Sequence, residues 1–117
     1  MTDNKVKAMR FNEGKRKWSL VDFKSLEPMV EVLEFGERKY AAWNWKKGQA
    51  ITELCESLLR HTFAFMDGED EDPESHLLHI GHMMSNLMFI SYVLREKPEF
   101  DDRFNKQNVE STVNNQQ

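Results

Sequence analysis

Between Leu77 and Val93 the chain carries Leu77, Leu78, Ile80, Met84, Leu87, Met88, Phe89, Ile90 and Val93. On a helix of about 3.6 residues per turn these positions run nearly all the way round instead of forming one stripe. A helix of that kind needs partners on several sides. No other feature constrains the fold as much. It implies an all-α fold, a small bundle in which this helix belongs to a central antiparallel hairpin. It also implies that copies of the chain associate, as a homodimer or larger homo-oligomer, to cover what one copy leaves open.

The hairpin can be read residue by residue. Asp72 stands before Pro73, an N-cap followed by the one helical position where proline costs nothing, so the third helix is predicted to begin there. It runs to about Arg95 and stops ahead of Pro98. The second helix spans roughly Ala50 to Asp67, with Ile51, Leu54, Leu58 and Phe65 at helical spacing and Gly68 as its C-cap. A first helix starts near Ser25, takes Pro28 in its first turn and reaches Tyr40, with Gly36 as a point of close backbone approach. Residues 1–19 read as a polar, basic arm, 20–97 as the helical domain and 98–117 as a polar tail whose Phe100 and Phe104 dock back on the domain. No strand and no internal repeat is legible.

Bulk properties narrow the partners. The formal net charge of 117 residues is -4, which argues against a duplex nucleic acid held on a basic face. One cysteine, Cys55, excludes an intrachain disulfide or a cysteine-based zinc knuckle. No apolar run reaches membrane-spanning length and no signal core opens the chain, so a cytoplasmic location is expected, away from membranes.

All four histidines lie between positions 61 and 82. With a turn between Asp67 and Pro73, His61 and His79 stand six residues to either side of it and so at equal height, roughly 9 Å from the turn at 1.5 Å per residue. His79, His82 and Asn86 share one face of the third helix. Imidazoles converging in this way suit a divalent cation, or they are hydrogen-bonded core and surface groups. His76 reads as a rim residue. The acidic run Asp67, Glu69, Asp70, Glu71, Asp72, Glu74 admits either a solvated, helix-capping turn or a hard-cation site. Glu69, Asp72 and Glu74 are its candidates. Glu53 and Glu56, at a spacing that can hold Mg²⁺, read rather as a wet face ion-paired with Arg60. The segment from Lys39 to Gly48 brings Trp43, Asn44, Trp45 and Lys46 together, rings and donors that suit a base and phosphates or else close the core.

These pieces occur in a particular order: Phe35-Gly36-x-x-Lys39-Tyr40, Asn44-Trp45-x-x-Gly48, Leu59-Arg60-His61, Gly68-Glu69-x-x-Asp72-x-Glu74-Ser75, then His79-x-x-His82 and Asn86. From about Lys15 to Leu94 the chain resembles the dATP/dGTP diphosphohydrolase N-terminal family of tailed phages. The resemblance implies an all-helical fold, a phage origin and hydrolysis of a purine deoxynucleoside triphosphate to monophosphate and pyrophosphate. It also implies functional kinship with the MazG-like pyrophosphohydrolases, which are helical, oligomeric and Mg²⁺-dependent. Two departures stand out. The family usually has glycine after Glu-Ser, where this chain has His76, and the MazG carboxylate signature is only echoed in Glu53-x-x-Glu56.

The expected site therefore combines metal ligands His61, Asp72, His79 and His82 with Glu69 or Glu74 as general base. Lys39, Asn44, Trp45, Lys46, Arg60 and Asn86 serve the nucleotide. The expected ion is Mg²⁺ first, with Mn²⁺, Co²⁺ or Zn²⁺ as alternatives. Two rival readings stand beside this one: a non-catalytic nucleotide-sequestering protein, and a structural helical protein whose histidines only pack.

Overall fold

The computed structural model describes residues 6–11 and 13–106. Three α-helices dominate: α1, Glu27–Lys39; α2, Ile51–Met66; and α3, His79–Glu96. Short 3-10 turns lie at Trp18–Leu20, Phe23–Leu26, Asn44–Lys47 and Pro98–Phe100. Among the described residues there is no strand; Glu71 and Leu78 form an isolated antiparallel bridge. No described helix is long and apolar enough to cross a membrane. The expected all-α class and hairpin are present, with α3 packed against both α1 and α2.

The apolar encirclement of α3 explains its central place. Its Val93 is buried with Ile51 and Leu54 of α2, and Cys55, Phe89, Ile90, Tyr92 and Phe100 close around them. On the other side α1 comes so near that a Cβ at Gly81 would lie 2.3 Å from the Pro28 carbonyl oxygen and 3.1 Å from Val32 Cγ2. Glycine is required there by space rather than by backbone angle. The expected close approach at Gly36 is not observed, since a Cβ at that position meets nothing within 4 Å. The crossing of α1 and α3 uses the glycine of α3 instead.

The chain beyond Pro98 returns to the start of α2. Phe100 lies over Gly48, whose φ of 101° no other residue adopts easily. Asp102 Oδ1 accepts the Thr52 amide at 2.9 Å, and Oδ2 takes the Thr52 hydroxyl at 2.5 Å. Ala50, the N-cap of α2, has no side-chain acceptor, so a carboxylate from fifty residues away satisfies an amide that the helix start leaves free. Phe100 docks as expected, while Phe104 is exposed. The Asn/Gln-rich end of the tail and the extreme N-terminus of the arm lie outside the described residues.

Candidate active site

At the far end of the hairpin the chain turns through a segment that the sequence reading had partly folded into α3. Helix α2 ends in a Schellman cap: Glu69 N–H donates to Ala64 C=O at 3.0 Å and Gly68 N–H to Phe65 C=O at 3.0 Å. Gly68 supplies the left-handed residue, φ 98°. The Asp72-Pro73 start signal works locally. Asp72 Oδ2 accepts the amides of Ser75 at 2.8 Å and Glu74 at 3.2 Å, and His76 N–H bonds the Asp72 carbonyl at 2.8 Å. The helix then fails to continue, because His76 sits at φ 61° and reverses the chain. Leu77 C=O returns to Asp72 N–H at 2.8 Å, and α3 begins only at His79. Position 76, where the resemblance leads one to expect glycine, is therefore one where a left-handed residue is needed.

This fold-back, rather than symmetry about a short turn, brings the histidines to one height. His79 N–H bonds the Asp70 carbonyl at 2.9 Å, which seats the first residue of α3 over the cap of α2. His61 Nδ1 and His79 Nδ1 then stand 2.8 Å apart. The other nitrogen of His79, Nε2, lies 2.7 Å from Glu69 Oε1. A carboxylate only accepts, so Nε2 carries the proton and Nδ1 presents a lone pair to the cleft. His61, Asp72 and His79 each bring one donor atom to a common point, all within 4.8 Å of one another. His82 stacks flat on His61, centroids 4.3 Å apart and planes 2° from parallel. Its Nε2 is engaged with Ser75 Oγ at 2.8 Å. The expected set of four metal ligands thus becomes a converging trio with His82 stacked beside it.

Burial pushes the His61 and His82 imidazoles below their usual range, His82 also lowering His61 while Asp72 partly opposes the shift in both. Both are neutral at pH 7, the form that binds cations or accepts a proton. For Asp72, burial acts upward, but hydrogen bonds from the Ser75 amide and hydroxyl and the charges of His82 and His61 outweigh it. The carboxyl is left below its ordinary value, and so ionised.

Two cavities meet here. A polar cleft of about 610 Å³ is lined by His61, His79, His82, Asp72, Glu69, Glu74, Arg60, Lys39 and Ser57, among others. An apolar cavity of about 400 Å³ lies between α1, the Trp43–Trp45 loop and Phe89 of α3, and takes in Asn44. Phe35, Lys39, Tyr40 and His82 line both. Lys39 Nζ stands 3.6 Å from Glu74. Trp45 is anchored by stacking on Phe89 at 5.3 Å and by the edge of Tyr92 at 5.1 Å. Lys46 lines neither cavity; its ammonium lies over Trp43 at 4.2 Å. Asn86 is buried and donates to Ser57 Oγ at 3.1 Å, so it positions a wall residue of the cleft. Glu53 and Glu56 are exposed and outside both cavities.

Sequence reasoning passed over Ser57, Ser75, Phe35 and Tyr40 as site residues. Ser75 carried the one available signal, since it follows Asp72 at the spacing of an N-cap and its partner, and so had to stay near Asp72. Nothing in the spacing of Ser57 points to Asn86.

The family model described as dATP/dGTP diphosphohydrolase, N-terminal, matches residues 5–103. A relative from Salmonella phage PMBT28 named "dATP/dGTP diphosphohydrolase" is 38% identical over 95 residues. That alignment covers 81% of this chain and 32% of the relative, so the chain spans about a third of the length of the curated relative it matches. No solved structure matches the chain.

Proposed function

The chain belongs to the dATP/dGTP diphosphohydrolase N-terminal family, and from that premise we propose that it hydrolyses a purine deoxynucleoside triphosphate to the monophosphate and pyrophosphate. The observation that carries this reading is the pair of adjoining cavities, one aromatic and one lined with imidazoles, carboxylates and cations. Their sizes fit a small ligand bound across both. The base goes to the apolar cavity, against the rings of Tyr40, Trp43 and Trp45, with Asn44 at its edge. The triphosphate lies along the polar cleft.

The donor set fits a divalent cation, because two imidazoles, that of His61 held below its usual pKa, and the ionised Asp72 carboxylate bring donor atoms to a common point. His61, Asp72 and His79 would hold it, and when bound it supplies positive charge for phosphate oxygens and a more acidic water. Lys39, at the junction of the cavities, and Arg60 offset the charge that develops on the leaving pyrophosphate. Glu74, 82% exposed beside Lys39, accepts a proton from the attacking water. Water oxygen bonds to the α-phosphorus, and the anhydride bond to the β-phosphate breaks. Glu69 holds His79 in orientation and so is a positioning residue rather than the base.

The reading includes self-association. Leu59, Phe63 and Met66 on α2 are 49%, 63% and 77% exposed and follow i, i+4, i+7 spacing; Leu87 and Leu94 of α3 are 55% and 44% exposed. Apolar side chains in such rows suit a homo-oligomeric contact. A solution mass equal to the 13.9 kDa monomer at micromolar concentration would remove this part.

The test is pyrophosphate release from a panel of dNTPs and NTPs with Mg²⁺, Mn²⁺, Co²⁺, Zn²⁺ or none, for wild type and His79→Ala, with circular dichroism as the folding check. Release that needs metal, prefers purine deoxynucleotides and falls at least 100-fold in a folded His79→Ala protein is expected. Absence of turnover with every combination overturns the hydrolase. A nucleotide-induced rise in melting temperature would then make the chain a nucleotide-binding protein.

A further inference from the structure

We infer that the trio His61, Asp72 and His79 selects a nitrogen-preferring transition ion of the Co²⁺/Zn²⁺ kind over Mg²⁺, and that Glu69 sets its affinity by holding His79. The inference rests on the reading of this cleft as a cation site.

The first argument is donor chemistry. Mg²⁺ takes oxygen ligands in a near-ideal octahedron, and two imidazoles in a set of three are a poor offer to it. Affinity for imidazole rises from Mn²⁺ through Co²⁺ toward Cu²⁺ and remains high for Zn²⁺. Two histidines and a carboxylate also match the three-ligand pattern of catalytic zinc sites, in which remaining positions stay open to water or substrate oxygen.

The second argument is bite. Two nitrogens about 2.0–2.1 Å from one ion stand roughly 2.8–3.0 Å apart at an octahedral angle and roughly 3.3–3.4 Å apart at a tetrahedral one. His61 Nδ1 and His79 Nδ1 are 2.8 Å apart; with the lone pair on His79 Nδ1, His61 Nδ1–H is the donor of that contact, and an ion takes its place when the His61 proton shifts to Nε2 and the pair opens by up to about half an ångström. Asp72 is held for the third position: both its amide bonds fall on Oδ2, so Oδ1 is the oxygen available to the ion.

The third argument is tautomer. A ligating imidazole needs its lone pair toward the ion and its N–H fixed elsewhere. Glu69 Oε1 at 2.7 Å fixes the N–H of His79 on Nε2, which leaves Nδ1 facing His61 and Asp72. Such a carboxylate partner orients the ring and strengthens it as a ligand, and its removal typically weakens metal affinity by about 10–100-fold. The His79 side chain is 3% exposed and that of Glu69 49%. Glu69 can therefore be replaced from the solvent side without opening the core.

The experiment is a Co²⁺ titration of the metal-free full chain. It is followed by visible d–d absorption and by competition with a chelator, then repeated with Zn²⁺ and with millimolar Mg²⁺ as competitors. The expected result is one Co²⁺ per chain with nitrogen-rich d–d bands, displacement by Zn²⁺, and persistence in Mg²⁺. Glu69→Ala lowers affinity 10–100-fold while staying folded. Glu69→Gln, whose amide oxygen still accepts from Nε2, recovers part of that loss, and His79→Ala loses the bands. Absence of d–d bands, displacement by equimolar Mg²⁺, or a Glu69→Ala protein with unchanged affinity overturns the inference. Nucleotide hydrolysis is read separately. Turnover with Mg²⁺ and no Co²⁺ binding sinks the inference and leaves the hydrolase, whereas Co²⁺ binding without turnover under any metal does the reverse.

Discussion

The two ends of the α2–α3 hairpin are made from the same pair of helices and could hardly differ more. At one end Ile51, Leu54 and Val93 are at most 4% exposed and are sealed by Phe100. At the other, His61, His79 and His82 face Asp72, Glu69 and Ser75 across a cleft. The first end is held by removing apolar area from water. The second is held by hydrogen bonds that constrain which atoms meet. A small domain with few buried residues has concentrated its apolar burial at the first end, which leaves the other end free to keep polar groups converging on open space.

The largest expected effect falls on the apolar end. Ile51→Ala should cost about 2–5 kcal/mol of stability, with any activity per folded molecule retained. Urea denaturation beside an activity assay checks it, and a large loss of activity in the folded fraction would erase the division between the ends.

Next comes the helix crossing. Gly81→Ala must push its Cβ away from the Pro28 carbonyl and should destabilise by roughly 1–3 kcal/mol. Gly36→Ala meets no neighbour and should stabilise by up to about 1 kcal/mol through helix propensity. Thermal melts of the two variants should move in opposite directions, and movement in the same direction would contradict the observed crossing.

The polar end should report itself through pH. His61 and His82 have pKa values lowered in the folded chain relative to 6.5, so below that pH the unfolded chain binds more protons than the folded one. Stability of the metal-free protein should therefore be unaffected by these groups above pH 6.5 and fall as pH drops below it. Chemical denaturation at pH 7.5 and 5.5 measures this. The double variant His61→Gln/His82→Gln should flatten the difference, and an equally steep loss in that variant would place the sensitivity elsewhere.

The smallest effect is at the chain reversal beside the polar end. His76→Gly removes a side chain from a left-handed backbone position and should stabilise by up to about 1 kcal/mol. A lower melting temperature would mean that the His76 side chain holds the turn in a way its exposure does not suggest.

Much of this was written in local sequence. Three helices, the Gly68 cap and the local capping by Asp72 follow from periodicity and turn chemistry, both of which act over a few residues; that His61 and His79 meet was legible, but not the fold-back that brings them together. The placement of residue 76 was half legible. The glycine that the resemblance leads one to expect there points to a left-handed backbone, yet an Asp-Pro start followed by a long apolar run reads as one unbroken helix. Tertiary structure decided otherwise, because ending the first turn at His76 lets Leu77 bond back to Asp72 and sets His79 on the cap of α2. Only the packed chain could make Asp102 the cap of α2, choose Gly81 over Gly36 for the helix crossing, and turn His82 onto His61 and Ser75 instead of into the trio. Each of those pairings joins residues that no local periodicity relates, or selects among several that it relates equally well. Composition and spacing determine which groups reach one end of a hairpin; the direction of each lone pair depends on neighbours supplied by other segments.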